Sequence, residues 1–247
     1  MTERTRRTVL VLILLVVLNG CGGGGSGAYV DPALDASSLR ADAVAVLGTV
    51  ALAGPDETDT RIAYRELMSR IGREVRPDLE WIEGSETWIA LGPDETAAVL
   101  DSYRATGRIG PGQVDLLSVL DDRARYVWLA RIDLDLESVE SDHQRREALD
   151  RIVADVQTRG RRQMSATFDL FDLETRRLVF SMQRERVETD PGRPFEVVPL
   201  QQPPTPGELS AAVRDELSRR ILPDPPSRIE VLRGLLRDAT RALPGQP

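Results

Sequence analysis

Apolar positions along the chain fall into three regimes. Val9 to Leu18 is an unbroken apolar run of ten residues behind Arg4, Arg6 and Arg7. A bilayer span needs about 20 apolar residues, so the run is too short to cross and has the plan of an export signal, which sets residues 1–20 apart from the fold. Cys21 to Gly27 reads CGGGGSG, a flexible tether with nothing to bury. An irregular stalk is expected to extend it from Ala28 to Ser38.

Beyond residue 38 the pattern becomes periodic. Ala43–Val50 (AVAVLGTV) is continuously apolar and predicts a buried central strand. Tyr64, Leu67, Met68, Ile71 and Val75 recur at helical spacing, and Pro77 stops the helix. Glu80–Ile82 predicts a short edge strand. Pro93, with Asp94 and Glu95, opens a helix to about Tyr103, and Val114–Leu120 predicts another. Tyr126–Glu137 (YVWLARIDLDLE) is the clearest strand, with Tyr126, Trp128, Ala130, Ile132, Leu134 and Leu136 on its inner face. Met164–Phe171 and Leu178–Val187 alternate around the turn Asp172–Thr175 and predict a long hairpin. Between Glu140 and Gly160 the pattern does not decide the element, although the spacing of Leu149, Ile152, Val153 and Val156 suggests a helix.

Asp190–Pro206 holds six prolines and reads as a loop. Thr205 with Glu208, and Ser227 with Glu230, are capping boxes that open two more helices. Their stripes are Leu209, Val213, Leu217 and Ile221, then Ile229, Leu232, Leu236, Ala239 and Leu243. These elements predict an α/β (α+β) fold: one mixed β-sheet with helices packed on its faces. The expected organisation is a signal at 1–20, a lipidated tether at 21–38, and one domain at 39–247 with a C-terminal helical extension near 227–243.

Charge and composition narrow the function. The net charge is -8, and the signal (Arg4, Arg6, Arg7, Glu3) carries +2, which leaves -8 - 2 = -10 for the rest. Such a body is repelled by phosphates and anionic headgroups, so no nucleic acid partner is expected. All 32 basic residues are arginine, and there is one His and one Cys. That inventory excludes a phosphate-loop lysine, a Schiff-base lysine, a His/Cys zinc site and any disulfide within the chain.

Leu18-Asn19-Gly20-Cys21 resembles a bacterial lipobox, with an aliphatic residue at -3, a small one at -1, and the cysteine that takes the lipid. Lipidation is therefore expected on Cys21, with the membrane as a partner through that lipid. Gly22 stands where an aspartate often signals inner-membrane retention, so lipoprotein sorting rules imply the outer membrane, facing the periplasm. The order of elements, with AVAVLGTV at 43–50, RYVWLARIDLDLE at 125–137 and SATFDLFDLETRRLVFS at 165–181, resembles the periplasmic α/β lipoproteins. These include the penicillin-binding-protein activators and the curli-secretion lipoprotein, and a related fold is that of the N-terminal domain of the Tol translocation protein. The likeness spans about Ala43 to Ile221. Arg184, Glu185 and Arg186 would be poor lipid contacts, so the membrane-inserting hairpins of the secretion channel are not expected.

Candidate chemistry is thin. His143 lies in the charged stretch SDHQRRE and reads as solvated. Asp133, Asp135 and Glu137 share one strand face by alternation, yet lack the glycine and the final glutamate of a calcium loop. Trp81 and Trp88, flanked by Glu83, Glu86, Asp94 and Glu95, mark the one candidate ligand or partner surface. No cofactor, metal or catalytic residue is expected. The sequence reads as a non-enzymatic interaction or regulatory module for an envelope protein. The alternative is a module binding a small molecule or cell-wall glycan through the Trp81–Trp88 loop.

Overall fold

The structure, a computed structural model, describes residues 27–52, 58–148, 151–199 and 202–245. Its strands are β1 (Ala28–Val30), β2 (Val44–Ala51), β3 (Trp81–Ile82), β4 (Tyr126–Ala148), β5 (Arg151–Asp172), β6 (Arg177–Pro191) and β7 (Phe195–Val197). Its helices are α1 (Ala36–Ala41), α2 (Thr58–Val75), α3 (Gly84–Leu91), α4 (Pro93–Thr106), α5 (Pro111–Leu117), α6 (Pro206–Arg219) and α7 (Arg228–Arg241). All strands join one mixed sheet in the order β1-β6-β5-β4-β2-β3, and β7 pairs with β5. β2 runs parallel to β3 and β4, while β4, β5 and β6 form an antiparallel meander.

The apolar run of β2 is buried over all eight residues because helices cover both faces of the sheet. On one face α2 and α7 pack over Val44, Val46, Trp128, Ile132, Phe168 and Phe180. On the other, α3, α4 and α5 cover Ala45, Leu47, Val127, Leu129 and Phe171. Both expected capping boxes form, Thr205 with Glu208 and Ser227 with Glu230.

Several expectations are corrected. Residues 28–38 are no loose stalk: β1 pairs with β6, Asp35 caps α1 through the Ser37 and Ser38 N–H groups, and Leu34 and Leu39 enter the main core. The C-terminal helix is no extension, since Val231, Leu232, Leu235, Leu236 and Ala239 fill that same core. It is fastened by buried Arg76, whose Nη1 donates to the carbonyls of Leu243 and Pro244 while Nε and Nη2 grip Asp78. The Trp81–Trp88 segment is mostly helix α3, not a loop. The proline-rich loop 190–206 contains β7.

The largest correction lies at 140–160, which is strand and not helix: β4 and β5 continue as one hairpin with pairing from Tyr126↔Asp172 to Ala148↔Arg151. The helical spacing of Ile152, Val153 and Val156 is incidental. Ile152, Ala154, Val156 and Thr158 alternate along the strand and are buried. Leu149, also assigned to that stripe, lies outside the described residues, as does Cys21. Ile221, assigned to the α6 stripe, falls beyond the end of that helix and is exposed.

Candidate functional site

The β4–β5 hairpin brings together most of what the domain offers for contact or chemistry. Its register shifts between Ile132 and Leu134, where Asp133 is the extra residue of a β-bulge. A bulge inverts the alternation beyond it. Trp128, Ala130 and Ile132 therefore face the α2/α7 core as expected, but Leu134 and Leu136 do not; Leu136 is exposed and Asp135 turns inward in its place.

Asp135 meets a prepared set of cations. Its carboxylate accepts from Arg162 Nη1 at 3.1 and 3.2 Å and from Arg228 Nε at 2.5 Å. Arg162 Nη2 also donates to Glu137. The Asp135 side chain is 3% exposed and that of Arg162 8%, so each charge would be costly without the other. Arg228 comes from the first turn of α7, and Tyr64 of α2 lies beside it. Burial pushes the Tyr64 phenol up, partly opposed by its bond to Arg228. An open cleft of about 600 Å³ lies over this group, lined by Thr60, Tyr64, Glu137, Arg162, Ser227 and Arg228.

Asp133 is held elsewhere, by Arg131 Nε at 2.7 Å and Thr167 Oγ1 at 2.6 Å. The bulge thus splits the row of carboxylates that alternation alone would place together. Among the described residues no group of three His, Cys, Asp or Glu side chains is arranged to hold a metal ion. On the α4 face Tyr103 donates to buried Asp169 at 2.7 Å, and burial pushes the Asp169 carboxyl above its ordinary range.

The two tryptophans of the expected surface are not brought together. Trp81 packs with the α2/α7 core, its ring against Gly72 and its Nε1 donating to Arg76 O at 3.0 Å. Trp88 packs with the opposite core and donates to Leu47 O at 2.7 Å. Arg65 lies 4.4 Å above the Trp88 ring, buried along Gly84, where a Cβ would come within 2.1 Å of it.

Past Asp135 the hairpin leaves the helical layers. β2 pairs with β4 only as far as Ile132. From Leu136 to Glu147 twelve consecutive β4 residues are exposed. β5 stays covered there: Ala154 and Val156 form a small separate core with Val197 of β7 and Leu209 and Val213 of α6. His143 sits mid-way along the exposed stretch, opposite Val156. The arm from Leu134 to Ala148 is about 45 Å long at strand rise.

No family model matches the chain, and no curated protein does. Among solved structures it is similar to a PelC dodecamer from Paraburkholderia phytofirmans, at 14% identity over 90% of this chain and 100% of that one, with a TM-score of 0.39. It is also similar to lipoprotein GNA1162 from Neisseria meningitidis, at 9% identity over 72% of this chain and 99% of that one, with a TM-score of 0.29. Likeness at this level carries no argument about fold or function. The mixed α/β sheet stands on the structure itself.

Proposed function

We propose that the chain is an envelope lipoprotein, anchored through lipid on Cys21 in the outer membrane and facing the periplasm. Its domain works as a non-enzymatic interaction module, docking an envelope protein through the arm of the β4–β5 hairpin. The observation that carries this reading is the arm itself: one strand lies bare over twelve residues while its neighbour keeps a core of its own. A bare edge is an aggregation hazard that proteins normally shorten or cover, so a long one left bare points to contact with a partner. The carboxylates beside it serve as ion-pair partners. Asp135 is taken by two arginines and Asp133 by an arginine and a threonine.

The lipidation rests on the Leu18-Asn19-Gly20-Cys21 motif, and the outer-membrane address on Gly22. Mass spectrometry should find a mature chain beginning at acylated Cys21, and Gly22→Asp should move it to the inner membrane. A chain that retains Met1 contradicts the anchor. For the docking surface, Val139, Ser141, His143 and Arg145 are replaced together by alanine in the source organism. The protein should remain folded and anchored yet fail to complement a deletion. Full complementation would contradict docking through the arm.

A further inference from the structure

We propose that the bare edge of β4 pairs with the same edge of a second copy, in a two-fold antiparallel dimer centred on His143. The inference deepens the docking reading above and rests on it only in taking this edge as a surface held open for contact. The observations are the exposed run Leu136–Glu147, a bare backbone edge among the described residues, and the order of charges along it.

The stretch Glu137-Ser138-Val139-Glu140-Ser141-Asp142-His143-Gln144-Arg145-Arg146-Glu147 carries only acids among its charges before His143 and two arginines after it, with Glu147 at its end. Antiparallel self-pairing lays one half against the other. A dyad between two antiparallel strands runs normal to the sheet and keeps each residue on its own face, so only residues of equal parity can oppose each other. Few registers remain. A dyad at Asp142 sets Asp142 against Asp142 and Glu137 against Glu147, and like charges directly opposite are destabilising. A dyad at Gln144 leaves only 140–148 in register.

A dyad at His143 pairs all of 138–148. It sets Glu140 against Arg146 twice, Ser141 against Arg145 and Asp142 against Gln144. The flanking rows agree with it. On its own β5, Glu140 faces Arg159 and lies 3.4 Å from Arg161. Arg146 is steadied by Asp155 and Glu196. Each row then alternates in sign across the joint: Arg159, Glu140, Arg146 of the second copy. The charges that keep this edge from indiscriminate pairing thus favour a second copy, charge and the longer overlap together select the register at His143, and about ten backbone hydrogen bonds would form.

The test uses the full-length chain purified in detergent micelles at physiological salt. His143→Cys should give a covalent dimer with a short bis-maleimide, because residue 143 meets itself at the dyad. Glu147→Cys, which faces Val139 and lies about 26 Å along the joint from its own copy, should link far less, and the unchanged chain with its Cys21 sets the background. Sedimentation should show a reversible dimer, which Glu140→Gln, a change that adds no like charge opposite Arg159, weakens about ten-fold while melting within a few degrees of the parent. A monomer at the highest soluble concentration would overturn the proposal. A dimer indifferent to Glu140→Gln, or one that Glu147→Cys links as well as His143→Cys does, would overturn it too. If no dimer forms but the alanine-substituted arm still fails to complement, docking stands and its occupant is another protein.

Discussion

β4 is a single strand with two halves that live under different physics. From Tyr126 to Ile132 it has β2 on one side, β5 on the other and helices on both faces, and every residue but Arg131 is buried. From Leu136 to Glu147 it has β5 alone, and every residue is exposed. The backbone conformation is the same, so strand propensity does not separate the halves. Coverage does. In the first half the alternation of side chains is energetic, because each inward residue fills a core. In the second it stores almost no folding energy and is free to carry recognition. The bulge at Asp133 is the boundary, and the ion-pair group on Asp135 seals the core where the helices stop.

Substitutions along this strand test the contrast. Trp128 is fully buried, stacked on Phe168 with centroids 6.2 Å apart and near Phe180 at 5.9 Å. Trp128→Ala should cost about 3–5 kcal/mol in denaturant unfolding; a cost below about 1 kcal/mol would mean that the first half is not the load carrier. At the boundary, Asp135→Ala leaves Arg162 with Glu137 alone and should cost about 3 kcal/mol, the range for one partner lost from a buried pair. Past the boundary, His143→Ala should change stability by less than about 0.5 kcal/mol. A large loss there would show that the arm is part of the cooperative core.

A smaller effect concerns pH. Asp169 sits on the α4 face with its carboxyl pushed up by burial. Its folded pKa therefore lies above its unfolded one, so ionisation costs stability, and the cost is present in full above the folded pKa. The cost fades as pH falls through the folded pKa toward the unfolded value of about 3.9. Asp169→Asn keeps an acceptor for the Tyr103 hydroxyl and should be at least as stable as the parent at neutral pH. The parent should gain relative to it on acidification, measured by melting temperature against pH. A parent that loses ground instead would show that the carboxylate is favoured in its site.

Much of the first half is legible in the sequence. The run at 43–50, the hairpin around 172–175 and both capping boxes read correctly because each follows from a local rule of period or termination. The inward face of 126–132 reads correctly for the same reason. The face beyond it does not, since a bulge inserts one residue with no mark in the sequence at Asp133, and every later position changes side. That error hides the candidate site: Asp135, Arg162, Arg228 and Tyr64 come from four elements, and nothing in their spacing announces a cluster. The arm was unreadable for a related reason. With both faces of its side chains solvated and α6 packed on β5 instead, 136–148 has no apolar alternation to detect, and Ile152, Val153 and Val156 on its partner mimic a helical stripe. Residues 28–41 are short elements that rely on β6 and the main core, with the Asp35 N-cap as their local signal.

The most direct test of the arm as a docking surface is photo-cross-linking in intact envelopes of the source organism. A photoreactive residue is placed at position 143 on the arm or at position 89, where Ile89 is exposed on α3. The account expects a discrete covalent adduct from position 143 and none from position 89, in a protein that remains anchored and functional. An adduct from position 89 with none from position 143 would contradict it.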